Sequence, residues 1–119
     1  MATTYKVLGQ VTSAASSANV LLYPISAYSA GTSQTIGSTL TVCNQGSSAA
    51  TYSISVKVNT STTTLTAPVA KEYLAYQVVI PANTTTSYTL GITLDPFDHV
   101  VVSASTTTVS FNLFGTEIA

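Results

Sequence analysis

Apolar and polar residues alternate with period two along most of this chain, the pattern of strands that bury one face. The clearest run sets Tyr52, Ile54, Val56 and Val58 on one face and Thr51, Ser53, Ser55 and Lys57 on the other. A second sets Tyr88, Leu90, Ile92 and Leu94 against Ser87, Thr89, Gly91 and Thr93. A third sets Ile36, Leu40 and Val42 against Thr35, Thr39 and Thr41, and a fourth sets Val109, Phe111 and Leu113 against Ser110 and Asn112. Weaker strand signals cover Tyr5–Val11, Val20–Tyr23, Tyr73–Ile80 and His99–Ser103, the third of them ambiguous at its Lys71-Glu72 start. No segment carries a helical period, and the most the pattern allows is a short helical turn near Ser26–Ala30.

Turn chemistry separates these runs at Asn44-Gln45-Gly46-Ser47, Pro81-Ala82-Asn83, Asp95-Pro96-Phe97-Asp98 and Ala104–Thr107. The Thr-rich run Asn59–Thr66 reads as a longer loop or hairpin tip. About eight short strands with turns every 8–12 residues describe an all-β protein, a single antiparallel β-sandwich. Spacing alone leaves jelly-roll and immunoglobulin-like topologies open. One domain is expected over residues 1–119, with 1–10 either an N-terminal arm or the first strand.

Composition narrows the function. Charged residues make up 6 % of the chain, against about 25 % in ordinary domains. The three cations, Lys6, Lys57 and Lys71, are scattered, and four acids bring the formal net charge to −1. Phosphate binding needs clustered cations, so no nucleic-acid partner is expected. Ser and Thr supply about a third of the residues and solubilise the outward faces without charge. Edge strands thereby lack the lysines that discourage edge-to-edge pairing, and a near-neutral chain associates readily. Much of the surface is therefore expected to be covered by partners. No apolar run approaches the roughly 20 residues of a membrane span, and no signal peptide is expected at the N-terminus.

Local chemistry is sparse. Cys43, the single cysteine, follows Leu40-Thr41-Val42 and reads as a small buried residue at a strand end. Asp95-Pro96-Phe97-Asp98-His99 is the one local group of ionisable residues. Asp followed by Pro starts a type I turn, and this reading outweighs a metal site. No Gly-x-Ser-x-Gly elbow accompanies His99 and four acids leave little for paired-carboxylate chemistry, so no enzyme activity is expected. Without Cys/His spacing or further ligands no metal is expected, nor any cofactor. Asn59-Thr60-Ser61 and Asn83-Thr84-Thr85 match the glycosylation sequon, a chance match in so Thr-rich a chain. Of the seven tyrosines, most read as core residues with hydroxyls at the rim. Tyr28, Tyr73 and Tyr76 stand out as interface candidates, the last two on opposite strand parities.

Several segments together resemble a known family. They are Thr3-Thr4-Tyr5-Lys6-Val7-Leu8-Gly9-Gln10; Ser38–Gly46 leading to Ala50–Val56; Ile80-Pro81-Ala82-Asn83-Thr84 leading to Leu90–Asp95; and Val109–Ile118. In order and over nearly the whole chain, they resemble small all-β virion structural proteins of tailed bacteriophages, common among cyanophages. Gln45 departs from the basic residue associated with the family after Cys-Asn. The resemblance implies a non-enzymatic virion component made in the bacterial host cytoplasm. A capsid decoration (cement) protein is the first reading, forming a homotrimer on the major capsid protein or another virion protein. A neck, baseplate or tail-fibre component and a glycan-binding adhesin module for host surfaces are the alternatives. Thr3, Thr4, Tyr5 and Lys6, in the segment Ala2–Gln10, are the first candidates for a capsid-contacting arm, and Tyr28, Tyr73 and Tyr76 are candidates for a carbohydrate or protein interface.

Overall fold

A computed structural model describes residues 3–14, 17–24, 34–58 and 67–118. Eight strands follow in order: β1 (Thr3–Thr12), β2 (Val20–Tyr23), β3 (Gln34–Asn44), β4 (Ala50–Lys57), β5 (Tyr73–Ile80), β6 (Thr84–Leu94), β7 (His99–Ala104) and β8 (Val109–Ile118). They form two four-stranded sheets, β1-β8-β3-β6 and β2-β7-β4-β5. Every ladder is antiparallel. First pairs with last, second with seventh, third with sixth and fourth with fifth. This is one long hairpin rolled into a sandwich, and that order decides for the jelly roll over the immunoglobulin-like topology. Residues 3–12 form β1, an edge strand bonded to β8 along its length. The Lys71-Glu72 ambiguity resolves as a short 3-10 turn, Ala70–Glu72, ahead of β5.

The core lies between the sheets, where inward residues of the two layers meet. Leu40, Val42, Phe111 and Leu113 face Leu22, Tyr52, Ile54, Ile80, Val100 and Val102. Tyr52 meets the edges of Phe111 and Tyr88 in T-shaped contacts, both at 6.3 Å between centroids. Its hydroxyl hydrogen-bonds that of Tyr88, and burial is the main reason its pKa is raised.

Two departures from simple alternation shape the surfaces. Ser38 is an extra residue where β3 pairs with β8, between Gly37 and Thr39. A bulge of one residue exchanges the faces of everything beyond it. Ile36 consequently points outward at 37 % exposure while Thr35 turns inward at 1 %, the reverse of the expected assignment. Thr35 is satisfied there by the Tyr23 hydroxyl at 2.8 Å. Tyr23 in turn donates to Glu117 at 2.5 Å, and Lys6 closes the group on Glu117 at 3.2 Å.

The second departure concerns β4, which lies between β7 and β5 and has buried residues on its outward side as well. Its inward Tyr52 and Ile54 are buried as expected, but Ser53, Ser55 and Lys57 on the opposite face are buried as well, and Val58 is exposed. Each polar group there has a partner, as burial requires. Ser55 donates to the Val101 carbonyl at 3.1 Å, and Ser53 accepts from the Gln77 N–H at 2.9 Å. Lys57 donates to Glu72 at 2.9 Å and to the Ala67 carbonyl at 3.2 Å. The same Glu72 oxygen accepts the Val69 N–H at 2.8 Å, so the carboxylate staples the chain before β5 onto β4.

The hydrogen bond from Lys57 holds the Glu72 carboxyl below its ordinary 4.5. Because the folded-state value is the lower one, this contribution is complete above about pH 4.5 and is lost as pH falls through the depressed value. Lys57→Ala leaves a mostly buried carboxylate without its cation and is expected to cost about 2 kcal/mol. That is less than the roughly 3–5 kcal/mol of a fully buried pair, because both side chains keep some solvent. Glu72→Gln should flatten the acid limb of stability against pH, as followed by urea unfolding between pH 7 and pH 3. An unchanged acid limb would show that the pair contributes nothing.

Candidate interaction surfaces

Two surfaces stand out, one on each sheet. The first is the outward face of β1-β8-β3-β6. The ladder register sets Tyr5, Thr116, Ile36 and Thr93 in one row across the four strands, and Val7, Phe114, Thr39 and Thr89 in the next. Beyond them come Gln10, Asn112, Thr41 and Ser87, then Thr12, Ser110, Cys43 and Thr85. No Lys, Asp, Glu or His stands at any outward position of the four strands. One half is a grid of hydroxyls and amides. The other exposes Tyr5, at 82 %, together with Val7, Ile36 and Phe114. At about 4.8 Å between strands and 3.3 Å per residue, the face measures roughly 600 Å² in projection. That is the scale of one side of a standard protein interface, about 800 Å².

Thr3, Thr4, Tyr5 and Lys6 are all exposed on β1. The register splits them: Thr3 and Tyr5 belong to the uncharged face, whereas Thr4 and Lys6 have the opposite parity. Lys6 leans on Glu117, and this ion pair sits at the rim outside the uncharged face.

The second surface is at β5, the edge of the other sheet. Gln77 adopts a left-handed conformation, φ 48°, beside a register break between Tyr52/Val78 and Ile54/Ala75. A second break, between Ile54/Ala75 and Ser55/Tyr73, places Leu74 as an extra residue between the two tyrosines, and bulges re-aim side chains. Tyr73 and Tyr76, which strict alternation would separate, meet in a T-shaped contact at 4.8 Å and 72°. Leu74, Tyr76 and Val79 are exposed beside them. Tyr28 lies outside the described residues, as do the Ser26–Ala30 turn, the loop over 59–66 and the first sequon.

The remaining sequence candidates have structural places. Asp95 and Asp98 form the expected turn: the Asp98 N–H donates to the Asp95 carbonyl at 3.0 Å, and the Asp98 carboxylate accepts the Asp95 N–H at 2.9 Å. His99 is buried and pairs with Lys57 in the β4–β7 ladder. Among the described residues no three His, Cys, Asp or Glu side chains come together as a metal site. Cys43 is half-buried on the outward face between Ser110 and Thr85, because Val42 takes the inward position at the end of β3. Asn44, read from sequence only as a turn residue, is a buried hub. Its amide N–H groups reach the Ser48 and Ile80 carbonyls at 2.9 and 3.2 Å, and its oxygen accepts from Gly46 and Thr108, each at 2.9 Å.

No protein-family model matches this sequence, and no curated protein matches it. Among solved structures, the chain is similar to one of infectious bursal disease virus, Gx strain. The likeness has 14 % identity and a TM-score of 0.46, and it covers 98 % of this chain and 32 % of the other. The Gt strain of the same virus gives 12 % identity and a TM-score of 0.45, covering 98 % and 32 %. The chain thus spans about a third of the length of the chains it matches.

Proposed function

We propose that this protein is a structural component of a virion, a decoration protein that binds an assembled capsid shell of a tailed bacteriophage. The observation that carries this reading is the uncharged outward face of β1-β8-β3-β6. A face left in water normally carries charge for solubility. One with hydroxyls over half its area and Tyr5, Val7, Ile36 and Phe114 over the rest suits permanent cover by another protein. The family resemblance of the four segments points the same way.

In this mechanism a homotrimer seats where major capsid subunits meet and buries the uncharged faces across the seam. It stabilises the shell by mass action, because it binds assembled subunits and not free ones. With no charges in the contact, occupancy should hardly change with ionic strength.

The test is the copy number of this chain in purified virions, by quantitative mass spectrometry against the major capsid protein. A ratio of one to one, or one to a few, is the expected result, and it should survive washing in high salt. A ratio of a few per hundred moves the protein to the neck, baseplate or fibres, and its absence from virions overturns the reading.

A further inference from the structure

The two register breaks of β5 do more than bring two aromatic rings together. Two depressions adjoin there and share Pro68, Tyr73 and Tyr76 in their walls. One, of about 610 Å³, continues along Ala70, Leu74 and Ala75. The other, of about 210 Å³, runs over the outward face of β4 and β7, where Asn19, Thr51, Ser53, Gln77 and Ser103 supply its polar groups. Neither is lined by a charged residue.

We propose that this groove binds a neutral oligosaccharide built of pyranose rings. This goes beyond the shell-binding role and does not rest on it, since the groove is on the other sheet.

The argument is one of matching surfaces. A pyranose has a face of C–H bonds carrying slight positive charge and a rim of hydroxyls. Aromatic faces are negative and apolar, so a sugar ring stacks on them. Tyr76 offers such a surface at 61 % exposure, and its edge-on contact with Tyr73 holds the ring in place. Hydroxyls both donate and accept, and side-chain amides do the same. Asn19 and Gln77 bring one amide each to the polar side of the groove, and neither amide has a hydrogen-bond partner among the described residues. Sulfated or carboxylated sugars would enter a groove with no lining cation to compensate their charge. The Gln77 backbone is fixed by its N–H to the Ser53 hydroxyl at 2.9 Å, so this wall of the groove is already formed.

The experiment is saturation-transfer NMR on the full chain with maltohexaose, cellohexaose, mannotetraose and chitotetraose, and with oligogalacturonate as the acidic comparison. At least one neutral glycan should bind and oligogalacturonate should not. Tyr76→Ala should weaken binding by about tenfold or more, the order of effect expected when a stacking ring is lost. Tyr76→Trp should retain it, and Tyr5→Ala, on the opposite sheet, should leave it unchanged. Tyr76 is exposed, so the variant should keep the wild-type melting temperature. Failure of all four neutral glycans to bind, equal binding of the acidic one, or undiminished binding by Tyr76→Ala would each overturn the inference. Virion copy number is read separately, so either proposal can fail alone.

Discussion

Phe111→Ala is expected to cost about 4 kcal/mol of folding stability, within the range for a buried aromatic replaced by alanine. Phe111 is fully buried in the N-terminal part of β8, with Val11 and Val42 beside it in the ladders and the Tyr52 ring in T-shaped contact. The cost should lie well inside that range and not at its floor, because the cavity cannot readily collapse. β8 is hydrogen-bonded to β1 on one side and β3 on the other. Closing the space would strain two ladders at once. The urea midpoint should fall by roughly 2 M or more, given slopes of about 1–2 kcal/mol per M for a chain of this size. A loss below about 1 kcal/mol would mean that the two sheets are not packed through this residue.

The next largest effect is expected at Gly115. A methyl group added there would stand 2.0 Å from the Ile36 carbonyl oxygen and 3.0 Å from the Gly37 Cα. These are backbone atoms of the adjacent strand, so no rotamer change relieves the overlap, and β3 and β8 would have to separate locally. Gly115→Ala should therefore cost about 3 kcal/mol or more, at or above the upper end for overpacking. Gly91→Ala provides the contrast. It lies on the edge strand β6 with nothing within 4 Å of the added methyl, and should be neutral or stabilise by about 0.5 kcal/mol by restricting the unfolded chain. Thermal melts of the two variants side by side test this. Equal effects would show that strand propensity, and not the approach of β3 to β8, governs both sites.

These two sites also show where period-two reading is sound. Phe111 lies in the stretch of β8 that pairs in unbroken register with both neighbours, and its burial is visible from Val109, Phe111 and Leu113 alone. The same holds for β6, where Leu94 is buried and Tyr88, Leu90 and Ile92 pack against the core. Alternation fails where a bulge adds a residue. Thr35 and Ile36 exchange faces across Ser38, and Tyr73 and Tyr76 meet across a break that no local composition marks. Ser53, Ser55 and Lys57 of β4 read as solvent-facing because sequence does not say that the Gln77 N–H, the Val101 carbonyl and the Glu72 carboxylate meet them there.

Side-chain alternation and composition are local properties of a chain, and they were enough for an all-β sandwich, most of its strands, its main inward residues and its scarcity of charge. The remaining features arose from long-range pairing. Strand order made the sandwich a jelly roll, and ladder register assembled scattered neutral residues into one uncharged face. Register breaks in an edge strand turned two tyrosines into the wall of a groove. Such features depend on which distant strands pair and in what register, and that is settled by the whole core packing at once.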